Sequence, residues 1–229
     1  MPDQQYDIII TGGGMIGASL AVALEPLGLR IAIIEKFTPK SDSQPSFDDR
    51  TVALAYGTRR IFESMGLWKQ LQNDVMPITS IHISDRGHFG ATRLHHWESN
   101  VEALGYVLEN RVLGEALQSS LASHKTLTWY RPAEVTSVLV EEDFANVTID
   151  AEGKQHTLTA KLVVAADGSD SAVRNQLQMD TQIHDYGQTA IIANVSVDTP
   201  SNTTAYERFT DTGPIALLPM RPLIDKANA

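Results

Sequence analysis

The sequence predicts an α/β fold: a Rossmann-like dinucleotide-binding domain interleaved with a second β-sheet. Three observations carry this. The β-branched run YDIIIT (6–11) stops at glycines and is followed by a helix-forming stretch and a second apolar run, LRIAIIEK (29–36), which completes a βαβ unit. Gly12, Gly14 and Gly17 fall at G-x-G-x-x-G spacing between the first strand and the helix. Several short strands then crowd the stretch from 78 to 166, more than one parallel sheet of this kind needs.

YDIIIT is too short for a helix and apolar on both faces, as a buried parallel strand requires. MIGASLAVALEPLG holds good helix formers, and Gly28 stands where a helix stops. The stretch 37–49, FTPKSDSQPSFDD, has no period and reads as a loop. GTRRIFESMGLWKQL reads as one helix with Ile61, Phe62, Met65 and Leu67 facing inward. ITSIHISDRG and ATRLHHW are β-like and open a second layer, and NRVLGEALQSSLAS (110–123) restores a helical period. LTWY, AEVTSVLVEE, ANVTIDAEGKQHTLTA and KLVVAAD read as strands, with AEGK a hairpin turn. A helix near 170–177 follows, then strands in TAIIANVSV and YERFT, and a Gly-Pro turn leading into a buried strand in GPIALLP.

Composition narrows the function. The chain has 229 residues, 42% of them hydrophobic, which is enough for a real core. A formal net charge of −10 excludes a phosphate backbone as main partner, since nucleic-acid binders cluster Lys and Arg. The absence of cysteine removes disulfides, thiolate metal sites and cysteine nucleophiles, and suits a reducing cytoplasm. The polar start MPDQQYD lacks the pattern of a signal peptide, and no apolar run reaches the roughly 20 residues that span a bilayer. His95 and His96 are adjacent on a strand and point to opposite faces, so no metal site is expected.

The glycine fingerprint has a physical reading. Gly12 permits the tight turn, Gly14 lets the backbone approach a pyrophosphate, and Gly17 lets the helix pack close to the strand, with the helix N-terminus facing the anion. The whole loop, Gly12, Gly13, Gly14, Met15, Ile16 and Gly17, is therefore a candidate cofactor contact. Glu35, ending the second strand, would accept from a ribose hydroxyl and repel a ribose phosphate, which suits FAD or NAD better than NADP; Lys36 adjoins it. The bland alternative is a glycine turn without ligand and a surface glutamate.

The fingerprint alone does not separate FAD from NAD. LVVAADGSDSAVR (162–174) adds a second element, delivering Asp167 and Gly168 to the carboxyl edge of the sheet, where doubly wound folds bind ligands. Asp167 also reads as a helix N-cap, a role compatible with ligand contact. Arg174 pairs with Asp167 or Asp170, or is an exposed helix arginine.

Taken together, GGGMIG with Glu35, DDRTVAL and VVAADGSDSAVR resemble the flavoprotein aromatic hydroxylases, the p-hydroxybenzoate hydroxylase-like superfamily. FDDRTVALAYGT, ISDRGHFG, AIIANVS and ERFTDTGPIALLPM make the chain most similar to the ubiquinone-biosynthesis branch, and the likeness runs from residue 6 to about 220.

The resemblance implies FAD as cofactor and NAD(P)H as reductant. One oxygen of O2 is then placed on the ring of a polyprenylated phenol of the 2-octaprenyl-6-methoxyphenol type. It implies that Asp167 and Gly168 contact the flavin cofactor and that Arg50 approaches its phosphates, the alternative for Arg50 being a solvated loop arginine. It further implies that Arg111 stands near the pyrophosphate and that GPIALLP lies on the substrate side of the flavin ring. No side chain is singled out as catalytic. The expected location is cytoplasmic, with a lipid-tailed substrate favouring contact with the inner-membrane surface or a ubiquinone-synthesis complex.

The expected division is a first FAD-domain part at 1–75, a β insertion of the substrate domain at 76–100, a second FAD-domain part at 101–180 and substrate-domain strands at 181–229. The resemblance also implies a chain that stops before a Gly-Asp motif completing the FAD site, hence weak FAD binding and poor turnover by itself. Two other readings stay open: a flavin oxidoreductase or NAD-dependent dehydrogenase, and a catalytically silent nucleotide-binding remnant or assembly subunit.

Overall fold

In a computed structural model, which describes residues 4–38, 50–198 and 202–221, the first apolar run forms β1 (Gln4–Thr11). Two units compose the chain: residues 1–48 with 114–191, and residues 49–113 with 192–229.

In the first unit β1 is followed by α1 (Met15–Leu24), a single 3₁₀ turn over Glu25–Leu27, and β2 (Ile31–Ile34). Gly28 ends the turn in the left-handed region at φ 63°, as its position after the helix predicts. All four residues of β2 are buried, the signature of a parallel strand covered on both faces. Later segments add β8 (Leu127–Tyr130), β9 (Glu134–Val140), β10 (Ala145–Ala151), β11 (Lys154–Ala165) and the short α5 (Ala172–Gln176). The sheet order is β8-β2-β1-β11-β10-β9. The first four strands run parallel, and β11, β10 and β9 are antiparallel.

AEGK is the hairpin turn between β10 and β11. Glu152 at φ 54° and Gly153 at φ 79° are both positive, as a two-residue primed turn requires. The strand after it is longer than the sequence suggests: QHTLTA and KLVVA form one twelve-residue β11. Residues 154–160 pair antiparallel with β10, and 158–165 pair parallel with β1. Ile9, Ile34, Val147, Ile149 and Leu158 pack the core against this sheet.

The second unit begins with β3 (Thr51–Ala55), α2 (Tyr56–Ser64) and α3 (Trp68–Leu71). It continues with β4 (Met76–Ile78), β5 (Ser80–Asp85), β6 (Ala91–His95), β7 (Gly105–Glu109) and the start of α4 (Asn110–Ala122), and closes with β12 (Thr204–Phe209) and β13 (Ile215–Leu217). These strands make a β3-β7-β4 sheet and a β13-β12-β5-β6 sheet. Ile78, Val107 and Ala205 are buried together. By contact, residues 49–75 and 101–113 group with the β5–β6 region. The reason is that β3 and β7 pair with each other in their own sheet rather than joining the parallel one.

Three expectations are corrected, and a fourth lies largely outside the described residues. The predicted helix over 57–71 is two helices that break at Met65–Gly66, and Ile61 is 58% exposed rather than inward. TAIIANVSV forms no strand, and Ile191 is 93% exposed; β-branched composition favours a strand, but a strand exists only where a neighbour hydrogen-bonds to it. β13 forms in GPIALLP, yet Ile215 and Leu217 are exposed because the strand lies at a sheet edge. The predicted loop over 37–49 falls outside the described residues from 39 onward.

Candidate functional site

Register brings the carboxyl ends of four parallel strands level. Thr11 stands opposite Ile34 and Ala165, and Ile34 opposite Tyr130. Backbone bonds carry the alignment one step past the strands. Gly12 N–H donates to Ile34 O at 2.8 Å, Glu35 N–H to Tyr130 O at 2.9 Å, and Ala166 N–H to Thr11 O at 2.7 Å. Arg131, Glu35, Gly12 and Asp167 consequently leave the sheet along one edge. The chain from β1 crosses to β2 on one side while β11 lies on the other, which makes the β1/β11 edge the place where such folds open a ligand crevice.

The glycines are required by space as well as by letter. A Cβ on Gly12, whose φ is 99°, would lie 2.3 Å from Ala166 O, and one on Gly17 would lie 2.0 Å from Gly12 O. A Cβ on Gly13 would meet the Trp129 ring at 2.6 Å. Gly14 precedes α1 in extended conformation, and neither a side-chain cap nor an acidic residue occupies the helix start. Met15 is half-buried and Ile16 exposed on the first turn. The first N–H groups of α1 thus face a cradle stripped of side chains, a geometry suited to a pyrophosphate.

Glu35 is buried at 8% exposure and held by two backbone donors: Gly13 N–H reaches Oε2 at 2.6 Å and Phe37 N–H reaches Oε1 at 2.9 Å. Each carboxylate oxygen keeps a lone pair for a ribose hydroxyl. Lys36 is exposed and pairs with Glu134 at 3.0 Å. The residues therefore fit an adenine dinucleotide with a free ribose hydroxyl.

Asp167 serves the following helix through Ser171. Ser171 Oγ donates to Asp167 Oδ1 at 2.6 Å and accepts Arg174 N–H at 3.1 Å, while Val173 N–H approaches Asp167 Oδ2 at 3.3 Å. Ser171 is the N-cap and Asp167 orients it, so the capping role read from the sequence is shared, and Asp167 is engaged by Ser171 and Val173 rather than by the Arg174 side chain. Gly168 adopts φ 90° with open space around it.

Arg50 and Arg111 belong to the second unit. Asn110 N–H donates to Arg50 O at 2.8 Å, which ties the residue before β3 to the start of α4, and the Arg111 guanidinium donates to Glu109 at 2.9 Å. His95 and His96 are structural: His95 bonds Ser80 at 2.9 Å and stacks on Trp97, and His96 bonds Val101 O at 2.7 Å. No described group of three His, Cys, Asp or Glu could hold a metal, and no described helix is long and apolar enough to cross a membrane.

Sequence reasoning missed one part of the edge. Trp129, the penultimate residue of β8, lies against Gly13, and the Arg131 guanidinium lies 4.2 Å over the Trp129 ring. Gln118 on α4 accepts from Arg131 at 2.7 Å. The available signal was WYR at the end of a third parallel strand.

Residues 5–227 match the family described as FAD binding domain. Among curated relatives, ubiquinone hydroxylase UbiL of Rhodospirillum rubrum is 33% identical over 95% of this chain and 50% of its own length. The 3-demethoxyubiquinol 3-hydroxylase of Escherichia coli is 28% identical over 96% and 56%. The chain spans about half the length of the curated relatives it matches. Among solved structures, the flavin-dependent monooxygenase PieE in complex with FAD and substrate superposes with a TM-score of 0.65 at 18% identity, over 78% of this chain and 33% of that one, a likeness of fold. With its glycine cradle, held glutamate and end-to-end family match, the chain belongs to the FAD binding domain family, and FAD is its cofactor.

Proposed function

We propose that this chain forms the cofactor-binding part of a monooxygenase that hydroxylates the ring of a polyprenylated phenol of the 2-octaprenyl-6-methoxyphenol type in ubiquinone biosynthesis, using NAD(P)H and O2. The observation that carries the reading is the shared edge of Gly12, Glu35 and Asp167, with the Cβ positions of Gly12, Gly13 and Gly17 already filled by backbone or ring atoms. The names of the curated relatives support the substrate class.

Bound FAD supplies the electron transfer and oxygen chemistry. The chain's residues bind and orient. The loop from Gly12 to Gly17 cradles the pyrophosphate on the α1 N-terminus, and Glu35 accepts from the adenosine ribose while its charge rejects a ribose phosphate. Asp167 and Gly168 contact the cofactor from the β11 side, and Arg50 and Arg111 are assigned to its phosphates, where a guanidinium fork fits. The GPIALLP segment lies on the substrate side. A long prenyl tail favours work at the inner-membrane surface or within a ubiquinone-synthesis complex.

The test is NAD(P)H oxidation, with and without the octaprenyl phenol, by the flavin-loaded chain joined to the C-terminal half of a curated relative such as UbiL, with the product weighed after reaction under ¹⁸O2; the chain by itself is expected to turn over poorly. Phenol-stimulated oxidation and one labelled oxygen in the product support the reading. Oxidation that ignores the phenol and leaves it unlabelled contradicts it.

A further inference from the structure

We propose that Arg131, seated on Trp129 and anchored by Gln118, reads the adenosine end of the dinucleotide, offering its guanidinium plane to the adenine beside the ribose that Glu35 takes. The proposal rests on the FAD site described above and adds a residue to it.

The geometry is layered. Gly13 has no side chain, and the Trp129 ring occupies the space where a Cβ would stand. The Arg131 guanidinium covers that ring at 4.2 Å, inside the range for a cation over an indole. Gln118 Oε1 takes one Nη1 hydrogen at 2.7 Å and fixes the rotation of the plane. Register places β8 directly beside β2, with Tyr130 opposite Ile34, so Arg131 and Glu35 are the first residues beyond two neighbouring strand ends.

Arg131 is also an expensive cation to keep in this place. Half-burial lowers its pKa, and the charge of Glu35 is the opposing influence that favours its charged form. A guanidinium donates five N–H groups in one plane, and the Gln118 bond uses one. The flat face opposite Trp129 suits stacking on the adenine ring, and the remaining in-plane donors are left for acceptors at the rim of the site. A lysine would keep the charge and lose the plane, so the two contributions are separable.

The experiment compares the full chain with Arg131→Ala and Arg131→Lys, titrating FAD by flavin fluorescence and ADP by calorimetry, with melting temperature recorded for each. The expected result is a loss of roughly tenfold in affinity for both FAD and ADP in Arg131→Ala. Most of that loss should persist in Arg131→Lys, in protein that melts cooperatively. Unchanged affinity for both ligands in the folded alanine variant would overturn the assignment, and so would a loss for FAD without a loss for ADP, which would put the residue elsewhere on the cofactor. Should the parent chain bind neither ligand, the FAD site itself fails and this inference with it; a parent that binds beside an indifferent variant sinks the inference alone.

Discussion

Glu35 accepts the Gly13 N–H at 2.6 Å across 22 positions of sequence, so the carboxylate proposed to take the ribose also fixes the glycine loop proposed to take the pyrophosphate. The second oxygen accepts Phe37 N–H at 2.9 Å. Glu35→Gln offers one acceptor oxygen to two donors and leaves a buried N–H unmatched. It is expected to cost about 1–3 kcal/mol of stability, read as a lowered denaturant midpoint with an unchanged slope.

Substitutions in the glycine loop separate space from conformation. Gly17→Ala drives a methyl into Gly12 O and Gly12→Ala drives one into Ala166 O, so each is expected to lose about 3 kcal/mol or fail to fold. Gly168→Ala meets no atom and pays only for its left-handed φ of 90°, about 1–2 kcal/mol. Thermal melts of the three variants check the ranking.

Ser171 and Asp167 act on the same helix start but differ toward the cofactor. Ser171→Ala removes the N-cap and is expected to cost about 1 kcal/mol with FAD affinity nearly unchanged. Asp167→Ala is expected to lose comparable stability and weaken FAD binding as well. Equal FAD affinity in the two variants would reduce Asp167 to a capping residue.

Acid stability has a named contributor toward the opposite end of the parallel strands. Asp7 accepts Arg30 N–H at 2.9 Å, and this bond, aided by the charges of Arg30 and Lys161, holds its pKa below the ordinary 3.8. A depressed folded-state value gives stability that is complete above the unfolded value and lost as pH falls through the folded one. Asp7→Asn is therefore expected to destabilise the chain at neutral pH and to flatten the loss of stability below about pH 4, measured by melting temperature across pH 2–7.

The parallel βαβ core was legible because its signals are local: continuous apolar runs, glycine spacing and a two-residue turn all act over a few residues. Asp167 was placed correctly at a strand end, but its service to Ser171 needs three-dimensional proximity. TAIIANVSV shows the limit from the other side, since its β-branched residues state a preference that only a partner strand can fulfil. Arg131 escaped notice because nothing in WYR announces that Trp129 will lie on Gly13, more than a hundred residues earlier. Whether a sequence-distant glycine and indole meet depends on the strand order β8-β2-β1, which is a property of the whole sheet.

The most direct test of the central claim is an FAD titration of the purified 229-residue chain by flavin fluorescence, with Glu35→Ala and Asp167→Ala alongside. The account predicts saturable binding in the parent and affinity lowered by roughly tenfold or more in both variants. A cooperatively folded parent that shows no saturable binding, or variants that bind as tightly as the parent, would contradict it.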